Sequence, residues 1–388
     1  MKNISLRLIT LLLAALMIAA SPVLLADDDD DDDDNEGRRL FDEETFGGNG
    51  RTCLTCHSEA TGTISPQDVA DRIHLGDPLF LHDGLDNGVD GTTRIEEHAT
   101  IRVEIPLPPH ITIKNSNATS VILNRGVPST INTPALDPVL MYDGRDDTLQ
   151  GQALGAIRGH AQSEAVSQAQ LDLIAEFQQR DKRFFSSKAL RKFAHTGKPP
   201  QLPDGTTAAE KRGRRMFDDV PFQSGSTDGI CATCHSGPML NRFNQHNPFG
   251  APPGASFGSV LVSERNLAGN EEFTFIVQDP NYGPREITTP DPGVLLTDPQ
   301  PPEFHVPPEF GGPLPLWFTA NFFKVPQLWG VKDTAPYFHD NSAKTLEDVA
   351  EQYRFMFENS FDVNGNPLGI VLTEQDQADM VAFLKLLE

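Results

Sequence analysis

The 388-residue chain is poor in cysteine, in tryptophan and in positive charge. It has four cysteines, two tryptophans, and 31 Lys and Arg against 55 Asp and Glu, which gives a formal net charge of −24 at pH 7. This deficit argues against nucleic acid or an anionic membrane as a partner, because both are bound through basic surfaces. It favours a partner with a basic face. Beyond residue 26, no apolar run approaches the roughly 18 residues of a membrane-spanning helix.

Residues 1–26 have the pattern of a secretory signal, with a basic start, an apolar run at 8–20 and Ala26 before the cleavage point. Leu24 is large where a small residue is preferred, so an uncleaved anchor remains the alternative. The prediction is an exported, periplasmic protein cleaved near Ala26. Residues 27–36 follow with eight consecutive aspartates. Because such a run repels itself and buries nothing, it predicts a disordered acidic tail, with a calcium or docking site as the alternative.

All four cysteines fall in two copies of C-x-x-C-H, which leaves none for a disulfide. The members are Cys53, Cys56 and His57 in the first motif, and Cys231, Cys234 and His235 in the second. Two cysteines at this spacing attach the vinyl groups of one haem, and the adjacent histidine binds its iron. The alternatives are a zinc site shared by the two cysteine pairs and a thioredoxin-like redox pair. The histidine directly after each pair favours two covalently bound c-type haems.

A repeat is visible around the two motifs. Gly-Arg-Arg-Leu-Phe-Asp at 37–42 precedes the first, and Gly-Arg-Arg-Met-Phe-Asp at 213–218 precedes the second. Internal similarity of this kind predicts two units of one architecture. We therefore expect a mainly α protein of two cytochrome c-type haem domains related by duplication, 37–200 and 201–388, with long loops and a few short strands.

Local patterns predict several elements of these domains. Apolar spacing indicates a helix over 171–185, proline and glycine indicate a linker at 195–207, and alternation indicates strands at 99–105 and 273–278. Residues 246–315, dense in proline and glycine, predict loops over the second haem. Three threonines can each cap the start of a helix, because each is followed three positions later by an acidic residue. They are Thr207, Thr345 and Thr373.

Three sequence blocks, together with the paired motifs, resemble the bacterial dihaem cytochrome c peroxidase and MauG superfamily. The blocks are Phe-Lys-Val-Pro at 323–326, Thr-Ala-Pro-Tyr-Phe-His-Asp at 334–340 and Asp-Gly-Arg at 143–145. The resemblance implies that the N-terminal haem, with His57 as proximal ligand, reacts with peroxide. It implies that the C-terminal haem, with His235, is a low-spin centre that stores or relays an electron.

The second ligand of the C-terminal haem separates two branches of that superfamily. The peroxidases have a methionine fourteen residues after the histidine of the Pro-Tyr-Phe-His-Asp block, whereas this chain has Tyr353 there, as MauG does. Tyr353 also lies on the apolar face of the helix that Thr345 would cap. Met356, one turn further on, is the alternative ligand. Phenolate would favour higher iron oxidation states and a lower potential than thioether.

The first haem is expected to be open on its distal side. Tyr353 lies seven residues after Leu346, and seven after Leu149 is Ala156, which cannot bind iron. Some members of the superfamily close this site with a loop histidine. His74 and His82 are not at that spacing and are more consistent with surface or packing roles.

The resemblance also implies distal groups for peroxide cleavage. Gln152 lies ten residues after Tyr142, which matches the glutamine of the superfamily. Glu164 is the nearest match to its catalytic glutamate, two residues late, with His160 as the competitor. Tyr142 replaces the tryptophan that lies between the haems and is expected either to relay electrons or to pack.

A calcium ion between the domains is a further implication of the resemblance. It would be bound by backbone oxygens of Thr334 and Pro336 and by an asparagine side chain. The asparagine position is Gly126 here, with Asn124 two residues earlier, which weakens the match.

Together these observations predict periplasmic reduction of hydrogen peroxide to water, with electrons from a small soluble donor, a c-type cytochrome or a cupredoxin. The alternatives are MauG-like oxidation of a protein side chain and a dihaem electron carrier without catalysis. The prediction includes no nucleic acid, no membrane and a monomer or homodimer.

Overall fold

The structure, a computed structural model, describes residues 33–388 except 222, 224, 250–252, 255, 299–313 and 362–364. The predicted signal and most of the acidic tail lie outside the described residues, as does part of the predicted loop at 246–315. The first helix begins at Asp33, so the last four residues of the segment predicted as a tail are helical. No helix in the described part of the chain is long and apolar enough to cross a bilayer.

The described residues form eleven α-helices and seven short strands, in agreement with a mainly α fold. The helices are α1 Asp33–Asp42, α2 Pro66–Arg72, α3 Thr93–His98, α4 Thr133–Leu136, α5 Leu149–Gly159, α6 Gln168–Arg180, α7 Lys188–Thr196, α8 Ala208–Met216, α9 Val262–Arg265, α10 Leu346–Glu358 and α11 Glu374–Leu384. The strands are β1 Thr100–Pro106, β2 Ile111–Ile113, β3 Ser120–Gly126, β4 Phe257–Gly258, β5 Phe273–Asp279, β6 Gly283–Thr289 and β7 Phe323–Lys324.

The three predicted capping boxes are confirmed. The side chains of Thr207, Thr345 and Thr373 each accept a hydrogen bond from the backbone N–H three residues later, at the starts of α8, α10 and α11. Each satisfies a donor that the first helical turn leaves without a partner. The two predicted strands are present as β1 and β5, each within one residue of the expected bounds.

The strands form a second core beside the helices. β1 pairs antiparallel with β3, and β5 pairs antiparallel with both β2 and β6. Ile111 of β2 stands opposite Val277 of β5, and both are buried, so this small sheet joins chain segments far apart in sequence. β2, β3, β4, β6 and β7 were not predicted. β6 carries Pro284 and several polar residues at an edge of its sheet, so it lacks the apolar alternation that marks β1.

The helices around the two motifs pack in matching pairs. α1, which precedes the first motif, packs on α6, and α8, which precedes the second, packs on α11. Both crossings need glycine: a Cβ at Gly37 would lie 2.6 Å from a backbone oxygen of α6, and one at Gly213 would lie 2.0 Å from a backbone oxygen of α11. α5 and α10, which follow the motifs, pack on the same partners α6 and α11.

The segment 327–330 contacts residues on both sides of the predicted domain boundary at residue 200, and we call 37–200 and 201–388 the first and second halves of the chain. Asn132 Nδ2 donates to the backbone oxygen of Trp329, and the Trp329 indole Nε1 donates to the backbone oxygen of Pro238, each at 2.9 Å. Pro238 lies three residues after His235, and Trp329 is buried. The linker predicted at 195–207 begins where α7 ends at Thr196 and lacks regular structure up to α8.

Candidate functional site

The two C-x-x-C-H motifs have the same backbone conformation. Each begins as a short 3-10 helix, over Cys53–Thr55 and over Cys231–Thr233. The backbone N–H of His57 donates to Cys53 O at 3.0 Å, and that of His235 donates to Cys231 O at 2.7 Å. This tight turn brings two sulfur atoms and one imidazole to the same place, as attachment of one haem per motif requires.

Each histidine is oriented by a backbone carbonyl five residues later. His57 Nδ1 lies 2.8 Å from Gly62 O, and His235 Nδ1 lies 2.7 Å from Leu240 O. Because a carbonyl only accepts, Nδ1 carries the hydrogen and Nε2 presents its lone pair. Burial lowers the pKa of His57, and it lowers the pKa of His235 to about 4. Both imidazoles are therefore neutral at pH 7, the form that binds metal.

The thiols do not fit a thioredoxin-like pair. All four cysteines are free. Burial raises the pKa of Cys53 to about 12 and that of Cys56 to about 11, and it also raises the pKa of both thiols of the second motif. Reactive cysteines have lowered pKa values, so these thiols would not work as a thioredoxin-type centre.

A shared zinc site does not fit either. Among the described residues, no group of three or more His, Cys, Asp or Glu side chains could hold a metal ion. The cysteine pairs therefore remain in two separate sites. Two unpaired thiols beside an oriented imidazole fit a covalently attached haem at each motif, and we refer to these places as the first and second haem sites.

In the second haem site, Tyr353 faces His235. The Tyr353 hydroxyl lies 3.0 Å from His235 Nε2, the nitrogen that the backbone carbonyl leaves free. The two rings come from sequence positions 118 residues apart and meet edge to face. Burial raises the pKa of the Tyr353 phenol, so deprotonation of this group requires a cation beside it, such as haem iron.

The alternative ligand, Met356, lies in the hydrophobic core. It is 3% exposed and clusters with buried residues such as Phe357. The methionine sulfur that approaches the second motif is instead that of Met380 on α11, 3.9 Å from Cys231 Sγ. No sequence pattern selects Met380, because the position of its sulfur depends on how α11 packs.

On α5, the residue that corresponds to Tyr353 is Ala156, whose side chain has no atom that can bind a metal. α5 and α10 both follow a capping threonine, and Ala156 is the eighth residue of α5 as Tyr353 is of α10. The loop histidines, His74 and His82, are both exposed. Exposure agrees with the surface role expected for them.

The two candidates for the proton-transfer group, Glu164 and His160, have different surroundings. Glu164 has a 76% exposed side chain and pairs with Arg158 Nε at 2.7 Å. A carboxylate turned to solvent and paired with arginine is not held toward the first haem site, so this position does not support the catalytic role expected of Glu164. His160 follows the last turn of α5, and its Nδ1 lies 2.5 Å from Asp83 Oδ2. Gln152 lies on α5, two turns before His160.

Asp83 and Arg51 form a buried ion pair behind His160. Arg51 Nη1 donates to Asp83 Oδ1, and the rest of the guanidinium donates to backbone oxygens that include those of Pro78 and Leu79. Burial by itself would raise the pKa of Asp83, but the hydrogen bond and charge of His160 and the charge of Arg51 lower it. Arg51 precedes the first motif by two residues, whereas no sequence signal selects Asp83.

Tyr142 lies beside a second buried ion-pair cluster. Its backbone oxygen accepts from Lys324 N at 2.7 Å, and burial raises the pKa of its phenol. The adjacent Asp143 accepts from Arg125 Nη1 at 2.6 Å, and Arg125 also pairs with Asp291. Tyr142 therefore lies where the first half of the chain meets β7 of the second.

Gly126, one of the positions considered for the calcium site, lies against the side-chain amide of Asn341. Asn341 Nδ2 donates to the backbone oxygens of His98 and Ala99, and a Cβ at Gly126 would lie 2.2 Å from Asn341 Oδ1. This contact explains why position 126 has no room for the asparagine of the superfamily. Binding of calcium by Thr334 and Pro336 remains a prediction.

Comparison with known proteins finds structural neighbours only. No protein-family model matches the chain, and no curated protein matches it. A MauG-like protein associated with microbial copper homeostasis is 20% identical over 92% of this chain and 89% of its own, with a TM-score of 0.47. The diheme peroxidase BthA from Burkholderia thailandensis is 14% identical over 92% and 85%, with a TM-score of 0.44. Kuenenia stuttgartiensis hydrazine synthase is 17% identical over 79% and 85%, with a TM-score of 0.34.

Two of these neighbours have the names that the sequence resemblance led us to expect, a MauG-like protein and a dihaem peroxidase. Identities of 20% or less with TM-scores below 0.5 do not assign an activity or a residue role to this chain.

Proposed function

We propose that this chain is an exported, periplasmic dihaem c-type oxidoreductase that reduces hydrogen peroxide to water, as a cytochrome c peroxidase does. The observation that carries the proposal is the inequality of the two haem sites. His235 faces the Tyr353 hydroxyl at 3.0 Å, whereas the equivalent residue of α5 is Ala156. A site with a free coordination position can admit peroxide, and a site with two protein ligands can take up and pass on electrons.

When bound, the haems supply the iron that exchanges electrons with peroxide and with the donor. The residues of the chain orient the ligands of the haems and shape the space around them. Gly62 O and Leu240 O hold His57 and His235 with Nε2 turned to the metal position. The small side chain of Ala156 would leave room for peroxide at the first haem site, and the Gln152 amide, one turn away on the same helix face, could donate to a peroxide oxygen there.

The electron donor that fits this chain is a small soluble redox protein, a c-type cytochrome or a cupredoxin, with a basic face. The support is the net charge of −24 at pH 7. Opposite charges on two proteins raise the rate at which they associate, and this attraction becomes weaker as the salt concentration increases. Transfer from such a donor should therefore slow as the ionic strength is raised. A donor whose rate is independent of salt would contradict this part of the proposal.

Electron paramagnetic resonance of the resting ferric protein tests the inequality of the two sites. We expect one high-spin signal from the first haem site and one low-spin signal from the second. Peroxide added with a reduced cytochrome should then be consumed with two donor molecules oxidised per peroxide. Two low-spin signals, no spectral change with peroxide and no turnover would instead indicate a dihaem electron carrier.

A second candidate function is MauG-like oxidation of a protein side chain with peroxide as oxidant. The observation that favours it is the Tyr353 phenol beside His235 Nε2, because an anionic oxygen ligand stabilises a more oxidised metal. Without a donor, such a protein should keep both oxidising equivalents of peroxide for seconds or longer, and a protein substrate should gain a covalent change visible by mass spectrometry. Rapid decay without a donor, and fast turnover with one, would favour the peroxidase.

A further inference from the structure

We propose that His160 is the proton-transfer residue of the first haem site and that Asp83 is its positioning residue. The inference rests on the proposed function, since it assigns the group that moves a proton during peroxide cleavage. It departs from the expectation for Glu164. Three observations support it: the place of His160 on α5, its bond to Asp83, and the burial of the ion pair behind it.

The first observation is the position of His160 directly after the last turn of α5. Residues four apart lie on the same helix face, about 5–6 Å from one another. Gln152, Ala156 and His160 are spaced by four residues. Ala156 is the counterpart of Tyr353 on α10, and Tyr353 faces His235. The open position over the first haem site is therefore flanked by an amide one turn before and an imidazole one turn after.

The second observation fixes which nitrogen of His160 is free. Asp83 Oδ2 lies 2.5 Å from His160 Nδ1. An ionised carboxylate only accepts hydrogen bonds, so Nδ1 carries the hydrogen and Nε2 keeps a lone pair that can take a proton. Carboxylate–histidine pairs of this kind hold the tautomer and the ring orientation of an imidazole.

The third observation is the burial of Asp83. Its side chain is 4% exposed and that of Arg51 is 2% exposed, whereas that of His160 is 26% exposed. The contact with His160 and the charge of Arg51 together keep Asp83 charged out of water, because a buried carboxylate without such partners would take up a proton. The His160 backbone oxygen accepts from Asn49 Nδ2 at 2.9 Å and from Arg51 Nη1 at 3.2 Å. His82 also approaches Asp83, at 3.8 Å, but its side chain is 45% exposed.

The proposed step balances as follows. His160 Nε2 takes the proton from one peroxide oxygen as that O–H bond breaks, and it returns the proton to the other oxygen. That oxygen leaves as water when the O–O bond breaks. The cleavage consumes two electrons, which the small redox protein supplies through the haems. The remaining oxygen takes two protons from solvent and becomes the second water, while His160 ends in its starting state.

The test compares two variants of the pair with two matched controls in the haem-loaded protein. His160→Gln removes the proton carrier and leaves the Asp83 and Arg51 pair intact. Asp83→Asn presents an amide that can donate to Nδ1, which reverses the tautomer. Glu164→Gln alters the rival carboxylate, and His82→Gln alters the other imidazole near Asp83. The rate constant for reaction with peroxide should fall by about 10²-fold or more in the two pair variants and stay within about twofold of the parent in the controls.

Two ligand-binding rates supply a readout that is independent of turnover. Hydrogen cyanide loses a proton when it binds ferric haem, whereas carbon monoxide binds the ferrous protein without proton transfer. Cyanide association should slow in both pair variants and carbon monoxide association should not, because a general collapse of the site would slow both. The high-spin signal of the resting protein and its thermal midpoint check that each variant is folded.

A different result would overturn each part of the proposal. A full loss in Glu164→Gln with no loss in His160→Gln would move the role to Glu164. A loss in His160→Gln with a parent-like Asp83→Asn would remove the positioning role of Asp83. If Asp83→Asn does not fold, Asp83→Glu, which keeps the charge, should restore most of the rate. If the parent protein consumes no peroxide but cyanide association still depends on His160, the proposed function fails and the proton-transfer assignment stands.

Discussion

Asp143 allows the sharpest test of how burial and charge are balanced in this fold. Its side chain is 1% exposed and contacts two arginines, Arg125 and Arg145. Arg125 in turn binds Asp291, so the cluster ties β3 to a loop of the second half. We predict that Asp143 stabilises the protein at neutral pH and that this contribution is lost in acid.

The size of this stability contribution follows from the change in the pKa of the Asp143 carboxyl on folding. Burial alone would raise the pKa of Asp143, but the two arginines outweigh it and lower the pKa from 3.8 to about 2. One pKa unit corresponds to about 1.4 kcal/mol, so the shift corresponds to about 2 kcal/mol. Because the folded-state pKa is the lower one, the contribution is fully present above pH about 4 and disappears as the pH falls through about 2. Asp143→Asn should reduce the free energy of unfolding at pH 7 by about 2 kcal/mol or more, and up to about 5 kcal/mol for a broken buried pair.

The assay is urea unfolding of the haem-loaded protein at several pH values between 2 and 7, followed by far-ultraviolet circular dichroism. The difference in unfolding free energy between the parent and Asp143→Asn should shrink as the pH approaches 2. Glu286→Gln is the matched control, since Glu286 pairs with Lys114 at the surface and such pairs contribute about 1 kcal/mol or less. The reasoning is refuted if Asp143→Asn loses no more stability than this control, or if the difference does not depend on pH.

The remaining predictions concern the haem ligands. His57→Gly should abolish reaction with peroxide and leave the low-spin signal of the second haem site, whereas His235→Gly should leave a reactive first site that is recharged poorly; equal loss in both would contradict the division of labour. The ferric parent should lack the weak near-infrared band of thioether ligation, and Tyr353→Met should create that band and raise the potential of the second haem. Met356→Leu should change packing alone, by about 1.5 kcal/mol or less; a change in the low-spin spectrum in this variant, and not in Tyr353→Phe, would assign the ligand to Met356.

The features that the sequence determined by itself depend on groups close together in the chain. The C-x-x-C-H motifs are defined within five residues, and the same tight turn forms in both. The capping boxes of α8, α10 and α11 depend on a residue and another three positions later, so their hydrogen bonds could be predicted from spacing. Tyr353 was selected over Met356 by its spacing of fourteen residues from His339, which the resemblance singles out, and helix periodicity agrees by placing it on the apolar face of α10.

The tertiary structure decided the features that join distant positions. Asp83 and His160 are 77 residues apart, and Arg125 and Asp291 are 166 residues apart, so no local pattern links either pair. Spacing from a known motif selected Glu164, but whether a carboxylate is buried or in water depends on packing that spacing does not describe. The same limit applies to β6, whose polar sequence forms a strand because β5 supplies its hydrogen-bond partners. Local hydrogen bonds and periodicity can be predicted from the chain alone, whereas burial and charge pairing require the folded neighbours that set the local dielectric.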